Sequence, residues 1–208
     1  MNQINVQLKT NSTLVYYSYP DYMDLMAQFV KLEITSGLIL NAKLIETTKL
    51  NFSRMKRLNK TIPLPSNYDE IIKNSEQQEW IVISEAWCGD SAQNLPGIAK
   101  FAENSKGKIK LRIAFRDNNP ALIENYLTNG NKAIPKLIAR NSEGNDLFTW
   151  GPRPQKAIDI VEKWKANQQE TTKEQMLINL YNWYNQDSCS NLFEELELLI
   201  KKNKVILS

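Results

Sequence analysis

The sequence contains no histidine at all. That absence removes Ser-His-Asp and Cys-His catalysis, histidine-ligated zinc and the usual general base near neutral pH. Cysteine is almost as scarce: Cys88 and Cys189 are the only two. Two thiols cannot build a four-thiolate metal site or a disulfide framework, so no metal is expected. No run approaches the roughly 18 apolar residues that a membrane span requires. The opening MNQINVQLKTNSTLVYY lacks a basic segment followed by an apolar one, so no secretory signal is expected. Together these absences imply a cytoplasmic chain with both thiols reduced. Strong charge imbalance is missing too. The 26 Lys and Arg against 23 Asp and Glu leave a net +3, too mild for a nucleic-acid footprint, and neither nucleic acid nor membrane is expected as a partner.

What is present is ordinary globular composition, 42% hydrophobic and 24% charged, over 208 residues. A chain of that size buries a core without disulfide staples. The first 75 residues read as helical. Apolar side chains at three- and four-residue steps mark helices over 21–32, after Pro20, and over 42–58, before Pro63 and Pro65 break the chain. The middle alternates. Strands are predicted at 80–84, 109–115, 134–139 and 146–150, and helices at 91–104, 120–127 and 155–164. From Thr171 two more helices follow, split by a polar turn at 186–188. This order predicts an α/β fold organised around an open sheet. Three parts are expected in one compact domain: a helical extension over 1–75, a core over 76–168 and a C-terminal helical pair over 169–208.

One stretch carries chemistry: Glu85-Ala86-Trp87-Cys88-Gly89-Asp90-Ser91, between a strand and a helix. A cysteine there meets the unpaired N–H groups and the positive end of the helix dipole. Such a setting lowers a thiol pKa from about 8.5 into the range of roughly 3.5–7.5. Gly89 allows the backbone to turn beside the sulfur. The Ser91 hydroxyl, one helical turn on, is a candidate donor to the thiolate. Asp90 works against it, because a neighbouring carboxylate disfavours a second negative charge. Pro96, inside the helical pattern, predicts a kink.

Strand-AWCGDS-helix resembles the strand-WCGPC-helix site of the thioredoxin family. A proline eight residues past the cysteine (Pro96) and a later Ile134-Pro135 in AIPKLIA strengthen the likeness. The wider pattern of WCGDSAQ, LTNG before IPK, and WGPRP (150–154) is similar to a bacterial group of thioredoxin-like proteins with a one-cysteine WCGDS motif. The resemblance covers roughly 76–165 and implies a central mixed sheet flanked by helices. It also implies that Pro135 follows a cis bond, packs beside Cys88 and presents the backbone of Ile134 to substrate. The family's second cysteine is replaced by Ser91, and its buried acid six residues before the cysteine by Val82. Glu85 is the nearby substitute as proton acceptor.

The resulting expectation is a one-cysteine (CxxS) thiol–disulfide oxidoreductase. Cys88, Ser91 and Pro135 form its catalytic set, and Trp87, Gly89, Asp90 and Ile134 contact a disulfide-containing or thiol-bearing protein or small molecule. Without a resolving thiol, an external low-molecular-weight thiol releases the mixed disulfide, and no bound cofactor is expected. The rival reading is a non-catalytic scaffold on the same fold. Cys189 is expected to be an incidental surface or half-buried thiol, Arg116 and Asp117 to pair or to cap the helix at Pro120, and Arg153 to meet an anionic partner. The oligomeric state is not legible in the sequence.

Overall fold

The computed structural model describes residues 14–73 and 75–206. Residues 1–13 of the expected helical extension lie outside them. The chain first runs through three helices: α1 (Tyr19–Leu32), α2 (Ala42–Thr61) and α3 (Tyr68–Lys73). Each long helix starts where a polar side chain accepts a free N–H. Ser18 caps α1 by accepting from Asp21, with Pro20 in the first turn, and Asn41 caps α2 by accepting from Leu44. The short α3 carries no long apolar stripe, and the sequence pattern did not separate it.

The sheet and its helices follow in the order β1 (Gln78–Ser84), α4 (Gly89–Glu103), β2 (Ile109–Phe115), α5 (Pro120–Glu124), β3 (Lys136–Arg140) and β4 (Asp146–Trp150). Then come α6 (Gln155–Ala166), α7 (Lys173–Asp187) and α8 (Ser190–Ile206). The strands lie in the order β2-β1-β3-β4, with β1 and β2 parallel and the other neighbours antiparallel. This is a mixed four-stranded sheet flanked by helices. Tyr17 adds an isolated antiparallel bridge to Ile113 at the outer edge of β2, so the N-terminal stretch extends the sheet rather than standing apart from it.

Alternation along β1 sorts the core into two layers. Trp80 and Val82 face a large cluster fed by α1, α2, α4 and α8, including Met26, Met55, Leu95, Ile98, Leu192 and Leu196. Trp80 stacks on Phe101 of α4 at 5.5 Å. Ile81 and Ile83 face a smaller cluster with Ala114, Ile138 and the α5 residues Leu122 and Ile123. Side chains as fully enclosed as Leu95 and Ile98 are worth about 1.5–3 kcal/mol each in removed apolar surface.

Several boundaries shift by one to three residues, and two of the shifts have a clear chemical cause. The third strand begins at Lys136 rather than 134, because Pro135 has no N–H to give a ladder. The helix over 120–127 stops at Glu124. The following residues turn back through Asn129 and Gly130, both with positive φ, so that Thr128 can bridge Asn131. Pro96 lies inside α4, where it removes one helical hydrogen bond.

Candidate functional site

The last residue of β1, Ser84, hands the chain to a tight loop that ends at Cys88, the N-cap of α4. Three residues from distant parts of the chain grip that loop through four hydrogen bonds. Ser36 Oγ accepts the Ala86 N–H at 2.7 Å and donates to Glu85 Oε2. Asn51, fully buried in α2, donates to the Ala86 carbonyl at 3.0 Å. The Asp117 N–H donates to Glu85 Oε1 at 2.8 Å. Burial pushes the Glu85 carboxyl up from its ordinary value, while the donors from Ser36 and Asp117 hold it down. With both oxygens spoken for, Glu85 faces its own braces rather than the thiol. Sequence reasoning missed Ser36 and Asn51; only Asn51, a polar residue inside an apolar helical stripe, left a trace.

The sulfur sits where a helix N-terminus can reach it. The Ser91 N–H donates to Cys88 Sγ at 3.4 Å, and the thiol donates to the Ile134 carbonyl at 3.4 Å. The Ile134–Pro135 peptide bond is cis. Cys88, however, is only 7% exposed and packs with Ile81, Ile83, Ala114, Leu122, Ile134 and Ile138. Burial pushes its thiol up to about 11, and the Asp90 charge pushes the same way; Ser91 and the Asp90 N–H pull back without prevailing. The expected accessible, low-pKa nucleophile is therefore corrected: the sulfur is enclosed and its thiol is held above, not below, the ordinary value. Desolvation outweighs the helix terminus. Ser91 favours the charged sulfur by proximity, yet its enclosed Oγ meets no partner in good hydrogen-bond geometry among the described residues.

The remaining residues of the motif are held from the C-terminal side. Arg153 grips Asp90 with two contacts, Nε to Oδ1 at 2.9 Å and Nη2 to Oδ2 at 2.5 Å, and Tyr184 donates to Oδ1 at 2.9 Å. Burial raises the Asp90 carboxyl; the guanidinium opposes it. The anionic partner expected for Arg153 is thus a residue of its own chain. Gly89 is not one of the positive-φ glycines, so the expected turning role gives way to a spatial one. A side chain there would collide with the Tyr181 hydroxyl. The loop that delivers Arg153 is itself tightly placed: Gly151 (φ 111) lies against the Pro135 carbonyl, and Gly151–Pro152 is also cis.

Trp87 forms the rim. It is half-buried against the Cys88 cluster, with the Arg116 guanidinium 5.0 Å over its ring. Arg116 also pairs with Asp117 at 2.9 Å, the first of the two arrangements expected for them. Lys136, directly after Pro135, is buried, and desolvation pulls its ammonium below the ordinary lysine value. Cys189 is a correction as well. It is 7% exposed rather than superficial, packs in the large cluster and donates to the Gln93 carbonyl at 3.5 Å. Among the described residues no three Cys, Asp or Glu side chains converge into a metal-holding group. No helix there is long and apolar enough to cross a membrane.

A family model described as Thioredoxin matches residues 37–165. The chain belongs to the thioredoxin family. The matched span takes in all four strands of this thioredoxin-family chain, the Cys88 loop and Pro135, and leaves out α1, α7 and α8. Two crystal structures resemble it at the level of fold. One is an HIV epitope scaffold, 20% identical, covering 92% of this chain and 98% of that one with a TM-score of 0.51. The other is a protein of unknown function from Pseudomonas aeruginosa, 21% identical, covering 92% of this chain and 97% of that one with a TM-score of 0.51. No curated protein matches.

Proposed function

We propose that this thioredoxin-family chain is a cytoplasmic binding protein in which Cys88 is a structural thiol rather than a standing nucleophile. The observation that carries the reading is the state of the sulfur: buried, protonated well past neutral pH, and donating to the Ile134 carbonyl. That carbonyl belongs to the backbone which, by likeness to the family, would pair with a substrate, and here the chain's own thiol engages it. A thiolate, not a thiol, attacks disulfides. Directly after Gly37, which lies close to Trp87, Leu38, Ile39 and Leu40 stand 79%, 68% and 63% exposed, an apolar run of the kind that marks a protein-contact surface.

A second reading keeps the chemistry. It is favoured by one feature, the seat of Sγ at the N-cap of α4 beside Pro135 with an N–H already directed at it. In that reading the deprotonated Cys88 sulfur attacks a disulfide R–S–S–R′. A Cys88–S–S–R bond forms, R′S⁻ leaves, and an external low-molecular-weight thiol, itself oxidised to R–S–S–thiol, regenerates Cys88. Trp87 and Ile134 would flank the incoming chain.

Alkylation of Cys88 across pH separates the two. The binding reading expects a rate that climbs only above pH 9, with no inflection near neutrality, and no disulfide reduction when glutathione is supplied. An apparent pKa below about 8, or turnover dependent on Cys88, would replace it with the exchange mechanism.

A further inference from the structure

The helices that reach the Cys88 loop from the C-terminal side are attached differently from the rest. Helix α7 buries Met176, Leu180 and Tyr184 against Ala157 and Val161 of α6, in a cluster separate from both layers of the sheet core. Its hold on the body of the molecule is polar and aromatic. Tyr181 lies on Gly89, with the Arg54 guanidinium 3.9 Å over its ring. The Tyr184 hydroxyl donates to Asp90 and accepts from Asn94 Nδ2 at 3.2 Å. Arg57 donates to Asn185 Oδ1 at 2.7 Å. At its far end the helix stops on Ser188 and Cys189, both in the left-handed region (φ 48 and 68). There the chain turns into α8, whose apolar face belongs to the main core.

We propose that α7 is a displaceable cover over the Gly89–Asp90 turn, and that its release opens Cys88 to solvent or to a partner while the sheet and α8 stay folded. Elements with their own small apolar cluster and a polar seam to the main body open at a lower free energy than the global fold. Because α6 and α7 share that cluster, α7 can leave the turn without exposing its apolar face. Once Tyr181 and Tyr184 depart, Asp90 keeps Arg153 and the Gly89–Asp90 side of the sulfur gains water, while the apolar wall of Ile81, Ile83, Ala114, Leu122, Ile134 and Ile138 stays in place. The inference concerns access to the sulfur and holds whether Cys88 exchanges disulfides or only anchors the loop.

The two cysteines make the test internal, since Cys88 lies under the cover and Cys189 lies in the main core. In the Tyr181→Ala/Tyr184→Phe variant at pH 9, with iodoacetamide and mass spectrometry of each cysteine peptide, Cys88 alkylation should rise about tenfold or more while Cys189 stays as slow as in the unaltered protein. Equal acceleration of both would mean a loosened fold, and no acceleration of either would mean no cover; both outcomes overturn the inference. In the unaltered protein, hydrogen exchange should find the α7 amides opening faster than those of α4 and α8. Exchange of all three in one step would overturn it independently of any variant.

Discussion

Cys88 and Cys189 are hidden to the same degree, 7% exposed each, and differ in what surrounds them. Cys189 has apolar neighbours, the Asp187 charge and a single opposing N–H from Gly97, and its thiol is pushed up to about 12. Cys88 has an N-cap position with donors from Ser91 and Asp90, and stands at about 11. The helix terminus and its donors therefore recover little of what burial takes away. A cysteine at the head of a thioredoxin-type helix is not reactive by address alone; it also needs water.

The contrast can be broken most forcefully at Arg153. Arg153→Ala leaves the Asp90 charge largely enclosed without its cation, and should lower unfolding free energy by about 3 kcal/mol in a denaturant titration, with part of it recovered in Arg153→Ala/Asp90→Asn. A loss below about 1 kcal/mol would show that the pair is effectively solvated. Asp90→Asn alone sharpens the contrast without deleting the side chain. Removing that charge should bring the Cys88 pKa down from about 11 while Cys189 stays at about 12, read from the pH dependence of alkylation at each site.

The smallest expected effect is on alkaline stability. Both folded thiols ionise above the ordinary value of 9.0, so the unfolded chain releases its thiol protons first. Their contribution is whole below pH 9 and is lost as pH rises through about 11 for Cys88 and about 12 for Cys189. Cys88→Ala should therefore show a shallower decline than the unaltered protein between pH 9 and 11 in thermal or denaturant unfolding. Parallel declines would place the Cys88 thiol back at its ordinary value.

Much of the architecture was legible because it is written in local periodicity. Strands β2 and β4 begin and end where alternation and β-branched runs begin and end, and α1 and α2 follow their apolar stripes to within three residues. Gly89 was legible as necessary but for another reason: its neighbour Tyr181 lies ninety-two positions away, and no local pattern announces it. Asp90 read as a group facing substrate because its partners, Arg153 and Tyr184, are likewise remote. The braces Ser36 and Asn51 look like any polar residues until β1 carries Ala86 between them.

Residue order alone determined that a sulfur stands at the start of a helix, one turn before Ser91. Helix caps, apolar spacing and proline's missing N–H are short-range properties that neighbours along the chain decide. Tertiary structure decided how much water that sulfur meets, because the α5 layer, Ile134 and Ile138 arrive from far along the chain. Desolvation and charge act through space, so the protonation state of Cys88 was settled only when those elements closed around it.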